Sequence, residues 1–71
     1  MKNNKISIYI NGEKKLVNTN KSLFEILEDY SIKHKSIAVE INKEIIAKSN
    51  YKSTLINSGD KIEIVHFIGG G

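Results

Sequence analysis

The sequence has no cysteine, no arginine, no proline and no tryptophan. Without cysteine there is no disulfide, no thiolate metal site and no thiol nucleophile. The two histidines, His34 and His66, stand far apart in the chain, so no metal site is expected. All eleven basic residues are lysine, and the formal net charge is +3. Base readout in nucleic acids relies most often on the arginine fork, and single-strand binding relies on aromatic platforms. The three tyrosines and two phenylalanines are too few and too scattered for such a platform. The lysines therefore read as a solvated surface that keeps a small domain soluble, and no nucleic-acid partner is expected. No run approaches the roughly 20 apolar residues of a membrane span. The opening MKNNKISIYI alternates apolar with polar residues and lacks a small-residue cleavage site, unlike a signal peptide. These features predict a soluble, cytoplasmic domain without a membrane partner.

At 71 residues the chain is expected to be one domain, residues 1–68, followed by a flexible glycine tail, residues 69–71. This is near the lower size at which a core holds a fold without staples. In KISIYI, residues 5–10, Ile6, Ile8 and Ile10 share one face, the mark of a half-buried strand. Asn11-Gly12 is the type I′ turn dipeptide, and EKKLV returns as the second strand of a hairpin. Ser22 stands three residues before Glu25 in a capping-box arrangement, which starts a helix. Leu23, Ile26, Leu27 and Tyr30 form its apolar stripe, with Glu25, Glu28 and Asp29 facing water. After a polar loop containing His34, expected to be exposed, SIAVEI alternates as a third strand and EIIA pairs with it as a brief fourth. Residues 48–58 are polar with isolated Tyr51, Leu55 and Ile56, which suits a one-turn helix or an irregular crossing with one or two apolar anchors. Ser58-Gly59-Asp60 is a turn, and KIEIVHFI, residues 61–68, is the last strand. The predicted class is α+β: a mixed sheet of four to five strands with one main helix packed across it, the β-grasp or ubiquitin-like fold.

Side chains offer little chemistry. The helix carboxylates lack an apolar pocket that would shift their pKa values, and no serine or threonine has an identifiable base beside it. Near the end of the last strand both faces become apolar, so Val65 and Phe67 are either covered within the chain or form a patch for a partner. A partner surface made of Val65, Phe67 and Ile68 is the favoured reading. Gly69, Gly70 and Gly71 follow at once. They are a frayed end, or they are an arm that threads a narrow channel and carries the Gly71 carboxylate roughly 10 Å beyond the domain. A docking surface beside a mobile arm favours the second. That carboxylate would become an electrophile once adenylated by ATP, and a sulfur nucleophile could then attack it.

The hairpin with its Asn-Gly turn, the helix opening SLFEILEDY, the strand pair IAVEINKEII and the closing LINSGDKIEIVHFIGGG together resemble the ThiS family of sulfur carriers in thiamine biosynthesis. The resemblance covers the whole chain. Its most specific part is Gly59-Asp60, a short strand and a terminal Gly-Gly. It implies that a ThiF-type adenylyltransferase uses Mg-ATP to adenylate Gly71, and that sulfur derived from cysteine by a donor system replaces the adenylate. The resulting thiocarboxylate then feeds thiazole synthase, ThiG. Gly70 and Gly71 match the family's closing glycines, with Gly71 the modified residue. The chain would be a co-substrate with no bound cofactor and no metal of its own, not an enzyme. Lys43 departs from the pattern, where the family usually has glycine, and so do the absence of proline and the positive net charge.

The same fold and tail occur in the small subunit of molybdopterin synthase. That protein is usually longer and has proline-rich residues before its glycines, which VHFIGGG lacks. Two further readings fit the same outline: a ubiquitin-like modifier joined to lysines, and a ubiquitin-like binding module with an inert tail.

Overall fold

The structure, a computed structural model, describes residues 4–67. Expectations for Ile68, Gly69, Gly70 and Gly71 lie outside the described residues. The chain opens with a hairpin of β1 (Lys5–Ile10) and β2 (Glu13–Asn18), in which Ile10 faces Glu13 across the turn. Asn11 and Gly12 both have positive φ, 50° and 85°, as a type I′ turn requires. Ile8 and Ile10 face the core, with Ile6 packed at its edge.

The helix α1 (Leu23–Asp29) begins at the expected box. The Glu25 N–H donates to Ser22 Oγ at 3.1 Å, and the Ser22 N–H donates to Glu25 Oε1 at 2.9 Å. A helix start leaves several backbone donors without partners. Here Leu23 and Phe24 donate theirs to the carbonyls of Thr54 and Tyr51, at 2.8 and 3.0 Å. The segment around the 3-10 turn Lys48–Asn50 is thus more than a connection, because it satisfies the beginning of the helix. It also buries Tyr51 and Ile56. These are the two anchors of the crossing, and the third isolated apolar residue, Leu55, is 59% exposed. Its backbone forms an isolated bridge with Ser22, and the alternating side-chain direction buries its neighbour Ile56.

Leu23, Ile26 and Leu27 are fully buried against the sheet. Tyr30 does not continue the stripe. The helix ends at Asp29, Ser31 turns with φ 56°, and the Tyr30 ring lies exposed with the Lys15 ammonium 5.8 Å from its centre. Next come β3 (Ile37–Ile41) and β4 (Glu44–Ile46), joined through Asn42 and Lys43 at φ 51° and 72°. The last strand, β5 (Lys61–His66), stops short of the predicted residue 68, with Phe67 already outside it.

The five strands lie in the order β2-β1-β5-β3-β4. The last strand is therefore central, parallel to β1 and antiparallel to β3. The core of Ile8, Val17, Val39, Ile62, Ile64 and their neighbours lies between the sheet and α1. The other sheet face carries exposed Leu16, Ile45 and Val65.

Candidate functional site

The site expected from the sequence is the downstream end of β5. Ile62 and Ile64 anchor it by pointing into the core, and the alternation of a strand turns Glu63 and Val65 outward. Val65 pairs with Ala38 of β3 and is 54% exposed. Phe67 is 59% exposed, and its N–H donates to the Ser36 carbonyl at 2.8 Å, which holds the backbone in line with β3 one step past the strand. Val65 and Phe67 therefore form an uncovered apolar pair among the described residues. Ile68, Gly69, Gly70 and Gly71, the remaining residues assigned to the site, lie outside the described residues.

Two arrangements that the sequence did not reveal keep this strand in place. The first is Asn11. Past Ile62 the neighbouring β1 has ended, and the Asn11 carboxamide substitutes for the missing strand. Its Oδ1 accepts from the Ile64 N–H at 2.7 Å, and its Nδ2 donates to the Ile64 carbonyl at 3.3 Å. The second is Asp60, which is buried at the start of β5. Its carboxylate accepts from the Asn57 N–H at 2.8 Å and from Asn42 Nδ2 at 3.0 Å, and Asn42 Oδ1 accepts from the Lys61 N–H at 3.0 Å. Gly59 turns the chain into this cluster with φ 85°, and its N–H donates to the Ser7 carbonyl at 2.7 Å. The Gly-Asp pair is thus an architectural device that aims β5. Asparagine after a strand was the available signal for both Asn11 and Asn42, but their partners are distant in sequence.

The other candidate side chains do not assemble a reactive site. Glu25 is committed to the helix cap, and Asp29 pairs with Lys21 at 2.7 Å. That pairing, led by its hydrogen bond, raises the pKa of the Lys21 ammonium above its ordinary value. His34 is half-buried rather than exposed, because its ring packs edge-on against Phe24 at 4.8 Å and reaches Tyr51 at 6.1 Å. Its Nε2 is 3.3 Å from Glu28 Oε2 but is not aligned for a hydrogen bond. His66 is exposed on β5, far from these groups in sequence. Among the described residues, no group of three or more His, Asp or Glu side chains could hold a metal ion. No helix among them is long and apolar enough to cross a membrane.

A mixed sheet that grips one helix and leads its central strand into a glycine run places the molecule among the β-grasp, ubiquitin-like domains. Comparison with known proteins narrows the class. The sequence model of the ThiS family matches residues 3–71, and the chain belongs to that family. It is 47% identical over 47 residues to the sulfur carrier protein ThiS of Bacillus subtilis, an alignment covering 66% of this chain and 71% of that one. Its fold matches the crystal structure of the thiamine biosynthesis protein ThiS from Geobacter metallireducens with a TM-score of 0.81. That match has 25% identity over 93% of this chain and all of the other. A thiazole synthase of Paramagnetospirillum magneticum is 39% identical over 66 residues, which cover 93% of this chain but only 20% of that protein. The chain thus spans about one fifth of that relative's length.

Proposed function

We propose that this protein is a sulfur carrier for thiazole formation in thiamine biosynthesis, with the carboxylate of Gly71 as its working group. The observation that carries the reading is the position of β5. It is a central strand whose last described residues, Val65 and Phe67, present an uncovered apolar surface immediately before Ile68 and the three glycines. Membership of the ThiS family supports it.

In this reading a ThiF-type adenylyltransferase docks on Val65, Phe67 and Ile68 while Gly69 and Gly70 thread its channel. A Gly71 carboxylate oxygen attacks the α-phosphorus of Mg-ATP and expels pyrophosphate. Sulfur supplied as hydrosulfide by a cysteine-derived donor system then attacks the acyl carbon and expels AMP, and loss of the sulfur-bound proton leaves the thiocarboxylate. Thiazole synthase takes the sulfur and returns the carboxylate, so the protein is a co-substrate that works in the cytoplasm beside its partners. ATP and Mg belong to the activating enzyme. The folded domain supplies what its own residues can: an apolar platform, a rigid strand and an arm without Cβ atoms that passes through a narrow channel.

The test is the intact mass of the protein after incubation with Mg-ATP, a ThiF-type enzyme and a sulfur donor. A gain equal to sulfur replacing one oxygen, mapped to the peptide ending in Gly71, is the expected result. An unchanged mass, with the enzyme active on another carrier, rejects the reading.

A further inference from the structure

Alternate residues of β5 turn their backbone groups to opposite neighbours. Lys61 and Phe67 bond to Asn42 and Ser36 on the β3 side, whereas Ile62 and Ile64 bond to Asn11 on the β1 side. By the same alternation the N–H and C=O of His66 face the β1 side. There β1 has already turned away at Asn11 and Gly12, and the Asn11 carboxamide reaches only as far as Ile64. No hydrogen bond links the His66 backbone to a described residue on that side. A central strand thus becomes an edge over its last stretch. A cleft of about 120 Å³ lined by Tyr9, Gly12, Lys61, Ile62 and Glu63 lies earlier along β5, where β1 is still paired with it, and is not part of this edge. Val65 and Phe67, both exposed, stand on either side of His66 in the chain.

We infer that this edge is a strand-addition site, and that its occupant is an extended segment of thiazole synthase that pairs with the His66 backbone on the side β1 vacates. The chemistry of the edge selects the occupant. A donor and an acceptor on one residue, at strand spacing and flanked by apolar side chains, are both met by another extended main chain. Asn11 already shows the geometry, since one carboxamide beside Ile64 does what a neighbouring peptide would do. The choice of partner comes from the relatives. In the thiazole synthase of Paramagnetospirillum magneticum, a segment similar to this chain occupies one fifth of the same polypeptide. The inference rests on the carrier reading and deepens it, because a strand paired at His66 would fix the direction in which the following glycines enter the acceptor enzyme.

The experiment is amide hydrogen exchange at residue resolution on the full chain, alone and saturated with its cognate thiazole synthase. Fast exchange at His66 in the free protein, slowed about tenfold or more in the complex, is the expected result. A second measurement is the dissociation constant of His66→Pro beside His66→Ala. Proline removes the outward N–H and leaves the β3 ladder intact, as edge positions allow. It should weaken binding about tenfold beyond the alanine variant, which keeps the N–H. Tight binding of the unaltered protein with no new protection at His66 overturns the strand-addition site and leaves the carrier reading standing. Protection that rises with protein concentration in the absence of thiazole synthase assigns the edge to a second copy and also overturns it. If the unaltered protein neither acquires sulfur nor binds the enzyme, both readings fall.

Discussion

Lys43 occupies a position whose backbone favours glycine. With φ at 72° and the side chain exposed, it bears the steric cost of a left-handed conformation between β3 and β4. Lys43→Gly should stabilise the protein by about 0.5–1 kcal/mol, read as a higher urea midpoint with unchanged slope. Asp60 should behave in the opposite way. Asp60→Ala strips the Asn57 N–H and the Asn42 side chain of their shared acceptor and should cost about 3 kcal/mol. Below its melting temperature that variant should still acquire sulfur at Gly71, which separates a folding role from a chemical one. The sequence makes Gly59-Asp60 recognisable as a signature but does not say what the pair does. The answer depends on Asn42, which only the fold brings within reach. Asn11 is legible as a turn residue, yet its second role as a surrogate strand for Ile64 depends on β5 lying next to β1.

At the scale of elements, local patterns are the readable part. Strict alternation marks β1 and β3, the Asn-Gly turn marks the first hairpin, and Ser22 with Glu25 marks the start of α1. A helix of seven residues is too short to persist alone, so its cap and its packing hold it. Ser22→Ala should therefore cost about 1 kcal/mol, with loss of helical circular dichroism only as part of global unfolding. The apolar stripe over-extends to Tyr30 because the spacing continues past the point where Ser31 turns the chain. Residues 47–56 are the least legible. Their polar composition hides the fact that the carbonyls of Tyr51 and Thr54 complete the helix start.

For the whole molecule, the count and order of elements point to one helix on a mixed sheet, while the central place of β5 emerges only from the pairing. The response to pH is also a property of the whole fold. Burial raises the Tyr51 phenol above its ordinary value of 10.0, and the Asp29 partner raises Lys21 above 10.5. In both cases the folded state holds its proton more tightly than the unfolded chain does. Their contribution is complete below the unfolded pKa values and is lost as the pH rises through the folded ones. Stability should accordingly decline above about pH 10, and Tyr51→Phe should flatten part of that decline in urea titrations run between about pH 9 and 11.

The position of β5 also has a mechanical meaning. A pull on the residues beyond Phe67 loads this strand along its own length, while its bonds to β3 on one side and to β1 and Asn11 on the other lie across the direction of the force. Such bonds must be sheared together, whereas a peeled hairpin gives them up one at a time. If the proposed partner gripped the tail, it would pull against bonds on both sides of a central strand, which would have to give way together before the domain could unravel.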